Sequence, residues 1–179
     1  MIKLLILDVD GCLTDGGLIY SQNSEESKIE TKAFNVKDGL GISTWVKLGN
    51  QVAIITGRTS KIVQRRAQEL GVQHLHQGIK DKDRVLKEIV SSLGISFDNV
   101  AAIGDDLNDF NMLRLAKRSF TPKDGVKDIR DIVDTVLSCN GGDGAVREMI
   151  DTIVDENDQR ADFMSVWIDQ SQNKSGLSQ

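Results

Sequence analysis

Hydrophobic runs of strand length alternate with amphipathic stretches of helix length along most of this 179-residue chain. The stretch 82–93 shows the helical pattern, since apolar residues recur at a spacing of three and four while charged residues fill the opposite face. Such alternation is typical of parallel strands that are joined by crossover helices. The sequence therefore predicts an α/β protein with a mostly parallel sheet.

The predicted elements follow from these runs. The strands are expected at residues 3–9, 52–56, 72–76 and 100–104, with shorter ones at 118–121 and 135–137. The helices are expected at residues 39–48, 60–70, 82–93, 108–115 and 145–154. An alternating stretch at about 17–34 predicts a small inserted β-hairpin, and the polar composition of 156–179 predicts a mobile tail after a single domain at 1–155.

Composition narrows the classes of protein to consider. A hydrophobic share of 39% with 27% charged residues fits one ordinary globular domain. The net charge of −5, without a run of five basic residues, argues against a nucleic-acid partner. No stretch approaches the roughly 18 apolar residues of a membrane span, and the apolar start is too short for a signal peptide. We therefore expect a cytoplasmic protein without a membrane partner.

Two acidic clusters follow predicted strands. Asp8 and Asp10 come at the end of the first strand, and Asp105, Asp106 and Asp109 follow the run at 100–103. Open α/β sheets bind ligands at the carboxyl ends of their strands, and a hard cation such as Mg²⁺ relieves the repulsion between carboxylates there. Asp8 and Asp10 alone also fit a turn, and one of the later aspartates fits a helix cap.

A hydroxyl and a cation are expected at the same edge. Thr56, Gly57 and Arg58 follow the second predicted core strand, and Thr56 is suited to donate to a phosphoryl oxygen. Lys80 and Lys82 follow the third strand, where a lysine can neutralise charge on a transferred phosphoryl group. Taken singly, these residues also fit a turn and solvated surface charges.

The ordered set of two acids, a Thr, a Lys and an acid cluster resembles the haloacid dehalogenase superfamily of phosphatases. Within it, four local stretches are similar to the 3-deoxy-D-manno-octulosonate 8-phosphate phosphatase family, and the resemblance extends to about residue 155. The four stretches are residues 8–16 (DVDGCLTDG), 34–39 (FNVKDG), 56–58 (TGR) and 141–148 (GGDGAVRE). The resemblance implies a Rossmann-like, doubly wound sheet in which the hairpin takes the place of a large cap domain.

The resemblance also implies a mechanism. Asp8 attacks phosphorus to give an aspartyl-phosphate, and Asp10 protonates the leaving sugar oxygen and later activates water. Mg²⁺ is held by the Asp8 carboxylate, the Asp10 main-chain carbonyl and Asp105. Thr56 and Lys82 hold the phosphoryl oxygens, with Lys82 favoured over Lys80 by its distance from the matching glycine.

Contacts to the sugar acid are implied by matching position. The predicted contacts are made by Asn35, Val36, Lys37, Asp38, Gly39, Arg58 and Arg66. Asp10 and Lys82 are predicted to contact the substrate near its phosphate group. Relatives assemble as homotetramers in which neighbouring chains help to close each site. The chain departs from the family at Ser43, where relatives carry Lys or Arg, so one substrate contact is in doubt.

Two alternatives stay open at this point. A nine-carbon, sialic-type sugar acid 9-phosphate is the rival substrate, and Arg58 favours the eight-carbon one because the nine-carbon phosphatases lack that arginine. A phosphorelay receiver domain is the rival of another class, since it too combines an acidic metal site with a Thr and a Lys. Its phosphoacceptor follows a later strand, however, where this chain has Thr56.

Overall fold

The computed structural model describes residues 1–19, 21–22 and 28–174. The strands are β1 (Leu4–Leu7), β2 (Ser21–Gln22), β3 (Lys28–Ile29), β4 (Gln51–Ile55), β5 (His74–His76), β6 (Val100–Ile103), β7 (Arg118–Thr121) and β8 (Thr135–Val136). The helices are α1 (Val36–Lys47), α2 (Lys61–Leu70), α3 (Lys82–Leu93), α4 (Phe110–Leu115), α5 (Lys127–Arg130), α6 (Ala145–Glu156) and α7 (Arg160–Lys174). This mixed order confirms the predicted α/β class.

Six of the described strands form one parallel sheet in the order β5-β4-β1-β6-β7-β8. The chain therefore winds outward from β1 in one direction and returns to continue from β6 in the other, which is the doubly wound, Rossmann-like order. Leu7 at the end of β1 lies beside Ile54 of β4 and Ile103 of β6. The three strands end nearly level, so the residues that follow them meet at one edge.

Both faces of the sheet are covered by helices. Leu5 and Leu7 pack into a core with residues of α1, α2 and α6, whereas Leu4 and Ile6 pack with residues of α3 and α4. Burial on both faces explains why β1 is a continuous apolar run rather than an alternating one. Among the described residues, no helix combines the length and the apolar character that crossing a bilayer requires.

The insert after β1 is a hairpin, as predicted. Its strands β2 and β3 pair antiparallel, with Ser21 opposite Ile29. They are shorter than the alternating pattern suggested, and part of the predicted insert, residues 20 and 23–27, lies outside the described residues. The hairpin leads through residues 30–34 into α1.

The stretch predicted to be a mobile tail contains α7. Phe163 on this helix is only 5% exposed and belongs to the main core, and Trp167 Nε1 donates a hydrogen bond of 2.8 Å to Thr44 Oγ1 of α1. The sequence did not indicate this helix, because polar residues predominate in it and its apolar residues show little helical periodicity. Residues 175–179 lie outside the described residues.

Candidate active site

The chain makes a tight turn over Val9–Leu13 directly after β1, with Asp8 buried and Asp10 partly exposed. Gly11 has a φ of +94°, and a Cβ added there would lie 2.1 Å from Asp105 Oδ2. Only glycine therefore lets the turn after β1 approach the loop after β6 so closely. This approach brings the carboxylates of Asp8 and Asp105 to one place, as the sequence predicted.

Two glycines of the loop before α6 pack against this turn. A Cβ on Gly141 would lie 1.9 Å from the carbonyl oxygen of Gly11, and Gly142 N donates to Cys12 O at 2.9 Å. The conformation of the turn is thus set partly by the loop that precedes α6. This contact gives the Gly-rich stretch 141–144 a structural role beside the site.

Lys82 lies under the acidic edge, at the first residue of α3. Its Nζ donates to Asp8 Oδ1 at 2.7 Å and to Asp109 Oδ1 at 2.6 Å, and all three side chains are buried. Asp109 Oδ2 in turn accepts a hydrogen bond of 3.2 Å from Asp105 N. One buried cation therefore links both acidic clusters, and Lys82, not the exposed Lys80, reaches the site.

The surroundings of the carboxylates at this edge disfavour their ionised forms. Burial, and next the Asp109 carboxylate, raise the pKa of Asp8 well above its ordinary value, although Lys82 opposes the shift. Burial and the same neighbour raise the pKa of Asp105 to about 6. Burial disfavours the ionised forms and the neighbouring carboxylates add to the effect, so a further cation beside Lys82 would stabilise the ionised forms.

The donor set fits Mg²⁺. Carboxylate oxygens of Asp8 and Asp105 and the Cys12 sulfur all lie within 4.8 Å of one another. Hard cations prefer carboxylate, carbonyl and water oxygens. Burial holds the pKa of the Cys12 thiol well above its ordinary value, which leaves the two carboxylates as the charged donors.

A cavity of about 180 Å³ opens on these acids. Arg58 and Asp10 face each other across it, with Arg58 Nε 3.9 Å from Asp10 Oδ2. The cavity thus joins five of the residues to which the resemblance gives a role in the reaction or in substrate binding, and Lys82 lies directly behind it. Its lining is formed by Asp8, Asp10, Thr56, Gly57, Arg58, Asp105, Asp106 and Asn108.

Lys32 is a residue of this site that sequence reasoning missed. Its Nζ forms an ion pair with Asp10 Oδ1, and its side chain is only 3% exposed. The segment was interpreted only as an alternating strand of the hairpin. The available signal was the presence of Glu30 and Lys32 on the same side of that alternating stretch, with opposite charges.

One stretch predicted to contact the sugar, residues 35–39, lies elsewhere in the single chain. Asn35 caps α1 by accepting a hydrogen bond of 2.8 Å from Lys37 N, and Val36 is 80% exposed. Asp38 is buried, and its Oδ1 accepts a hydrogen bond of 2.7 Å from Arg147 N. The stretch 35–39 is absent from the lining of the catalytic cavity.

Arg66 is also separate from the catalytic cavity. Its guanidinium packs over Gly39, where an added Cβ would lie 2.2 Å from Nη2. It lines another cavity, of about 380 Å³, together with Phe34 and Val36. The structure therefore brings Arg66 to the 35–39 stretch but not, within one chain, to the acids.

Comparisons with known proteins give the family to which the chain is similar. Residues 75–150 match the haloacid dehalogenase-like hydrolase family. The chain is 43% identical, over 86% of its length and 79% of the relative's, to the 3-deoxy-D-manno-octulosonate 8-phosphate phosphatase KdsC of Escherichia coli.

Two solved structures have the same fold. One is the 3-deoxy-D-manno-octulosonate 8-phosphate phosphatase of Moraxella catarrhalis in complex with magnesium, phosphate and KDO, with a TM-score of 0.85, 43% identity and coverage of 92% of this chain and 93% of that one. The other is the cobalt-bound enzyme of Haemophilus influenzae, with a TM-score of 0.79, 39% identity and coverage of 86% and 88%.

Proposed function

The chain belongs to the family of 3-deoxy-D-manno-octulosonate 8-phosphate phosphatases, within the haloacid dehalogenase-like hydrolases, and we propose that it has this activity itself. The reaction is the Mg²⁺-dependent hydrolysis of 3-deoxy-D-manno-octulosonate 8-phosphate to the free sugar acid and phosphate, a step in the synthesis of a lipopolysaccharide precursor. The observation that carries the proposal is the meeting of Asp8 and Asp105 beside a cavity that also exposes Asp10, Thr56 and Arg58.

Asp8 is the nucleophile of the proposed reaction. Its carboxylate attacks phosphorus, the bond between phosphorus and the sugar oxygen breaks, and an aspartyl-phosphate forms. Water then attacks phosphorus, which releases phosphate and regenerates the carboxylate. Lys82, bonded to Asp8 Oδ1, fixes which oxygen is free to attack, and its charge also suits it, with Thr56, to hold phosphoryl oxygens.

Asp10 moves the proton. In the first step it protonates the leaving sugar oxygen, and in the second it accepts a proton from the attacking water. Its position two residues after Asp8, partly exposed at the cavity, supports this role. The same carboxyl group thus returns to its starting protonation state after one turnover.

Asp8, Asp105 and the Asp10 carbonyl would hold Mg²⁺. When bound, the ion supplies positive charge that offsets the repulsion between an anionic nucleophile and an anionic phosphate ester. The close approach of the Asp8 and Asp105 carboxylates supports this assignment, because burial and the neighbouring carboxylate of Asp109 both disfavour their ionised forms when no cation is bound.

Recognition of the sugar acid involves more than one chain in this proposal. Arg58 is suited to the carboxylate of the substrate because a guanidinium matches it with two hydrogen bonds. Asn35–Gly39 and Arg66 would meet the substrate of a neighbouring chain in a cytoplasmic homotetramer. The support is their separation from the catalytic cavity within one chain, and light scattering after gel filtration tests the tetramer.

The alternatives from the sequence are not favoured. The similar proteins reported above act on the eight-carbon sugar, and a receiver domain would be phosphorylated without turnover. Rates with the eight-carbon and nine-carbon sugar phosphates, measured side by side, distinguish the two substrates. We expect the eight-carbon one to be hydrolysed faster.

The nucleophile is tested with Asp8→Asn. The amide does not attack phosphorus, so phosphate release from 3-deoxy-D-manno-octulosonate 8-phosphate should be abolished while the thermal unfolding transition persists. Asp98→Asn is the control, because Asp98 is exposed and lies just before the amino end of β6. Retained turnover in Asp8→Asn would reject the assignment.

A further inference from the structure

Lys32 is a buried cation that joins the hairpin insert to the catalytic edge. Besides its ion pair with Asp10 Oδ1, its Nζ lies 3.7 Å from Glu30 Oε1. Burying an ammonium group lowers the stability of the folded state unless charged partners compensate it. The carboxylates of Asp10 and Glu30 supply that compensation for Lys32.

The ion pair continues into a longer polar chain. Ser60 Oγ donates a hydrogen bond of 2.8 Å to Glu30 Oε2. Ser60 Oγ also caps α2 by accepting a hydrogen bond of 3.2 Å from Ile62 N. The return from the hairpin, residues 30–34, is thereby fastened to the loop that carries Thr56 and Arg58.

Asp10 is consequently held from two sides. Lys32 contacts Oδ1 from the hairpin return, and Arg58 Nε lies 3.9 Å from Oδ2 on the loop after β4. Arg58 is about half exposed, whereas Lys32 is buried. The buried partner is therefore the one that restricts the rotation of the Asp10 side chain.

We propose that Lys32 is a positioning residue that fixes the Asp10 carboxyl group where it exchanges a proton with the leaving sugar oxygen. The inference rests on the proposed function, in which Asp10 is the general acid. General acid catalysis contributes roughly 100- to 10,000-fold, and small misplacements of a catalytic group lose much of that factor. The segment that follows the hairpin then takes part in the chemistry through Lys32.

The leaving group provides the test. A sugar alkoxide leaves poorly without a proton, whereas p-nitrophenolate leaves without one. The comparison uses kcat/KM, which reports the steps up to phosphoryl transfer to Asp8, where Asp10 acts only on the leaving group. For Lys32→Met we expect kcat/KM on 3-deoxy-D-manno-octulosonate 8-phosphate to fall roughly 10- to 100-fold while kcat/KM on p-nitrophenyl phosphate stays within about threefold. Lys32→Arg, which keeps the charge, should recover part of the loss.

Lys3→Met is the matched control, because Lys3 is exposed and precedes β1 at its other end. It should leave both rates unchanged. An equal fall in kcat/KM of Lys32→Met on both substrates, or no fall on either, would overturn the inference, since a purely structural role has no reason to distinguish leaving groups.

Two further arms keep the outcomes separate. If Lys32→Met does not fold, Glu30→Gln replaces it. Removing this partner of Lys32 should lower kcat/KM on the sugar phosphate by about threefold or more while kcat/KM on p-nitrophenyl phosphate is unchanged, and an equal loss on both substrates counts against Lys32. If the wild-type protein does not hydrolyse the sugar phosphate at all, the proposed function fails; if it does and the losses are unselective, only the role of Lys32 fails.

Discussion

Lys82 lies between two buried carboxylates that would repel each other without it. Its ammonium group contacts both Asp8 and Asp109, and burial has removed the water that would otherwise screen them. At the scale of single residues, the stability of the site thus depends on the positive charge of Lys82 compensating the negative charges of Asp8 and Asp109. Two substitutions test that balance.

Lys82→Met removes the cation and leaves the acids buried. We expect the free energy of unfolding, measured with urea in the absence of metal, to fall by about 3–5 kcal/mol, and phosphatase activity to be lost. Lys80→Met is the control, since Lys80 is exposed, and it should change neither quantity. An unchanged urea midpoint for Lys82→Met would contradict the role of Lys82 as the counter-charge.

Gly11→Ala tests the close approach of the turn to Asp105. The new Cβ would have to displace the Asp105 carboxylate, so a higher Mg²⁺ concentration should be needed for half-maximal activity. Gly49→Ala is matched, because Gly49 also has a positive φ, +83°, but has open space around its Cβ position. Both variants lose about 1–2 kcal/mol of stability, yet only Gly11→Ala should change the Mg²⁺ requirement.

At the scale of elements, α1 and α6 meet at a buried carboxyl group. Burial raises the pKa of Asp38 to about 6, against 3.8 ordinarily, even though the Arg147 N–H opposes the shift. A carboxyl group whose pKa is higher in the folded state binds its proton more tightly there. Its contribution to stability is therefore complete below the ordinary value and is lost as pH rises through about 6.

Asp38→Asn isolates this contribution. The difference in free energy of unfolding, wild type minus variant, should decrease by about 2 kcal/mol between pH 4.5 and pH 7.5. The other acids titrate in both proteins and cancel in the difference. A difference that is independent of pH would show that Asp38 titrates normally in the folded protein.

Helix α7 packs on the domain although its polar composition did not indicate this. Phe163→Ala removes a side chain that is 5% exposed, and we expect a loss of about 3 kcal/mol in the free energy of unfolding. Met164→Ala, at a position that is 52% exposed, should change it by less than about 0.5 kcal/mol. Equal small effects would mean that α7 does not contribute to the core in solution.

At the scale of the whole molecule, the sequence predicts the site better than its surroundings. Asp8, Thr56 and Asp105 were predictable because each follows a buried parallel strand, and the carboxyl ends of such strands lie at one edge. Lys32 was not, since its partner Asp10 is 22 residues away and the contact depends on how the hairpin folds back. Arg66 likewise packs on Gly39 through tertiary contacts that periodicity does not report.

The most direct measurement is phosphate release from 3-deoxy-D-manno-octulosonate 8-phosphate with Mg²⁺, after EDTA, and after Mg²⁺ is restored. In the proposed mechanism, the acidic edge formed by Asp8 and Asp105 needs a cation before an anionic ester can be attacked. Turnover should therefore occur with Mg²⁺, disappear with EDTA and return when the metal is added back. Equal turnover in EDTA, or no turnover of this substrate at any Mg²⁺ concentration, would contradict the proposed enzyme.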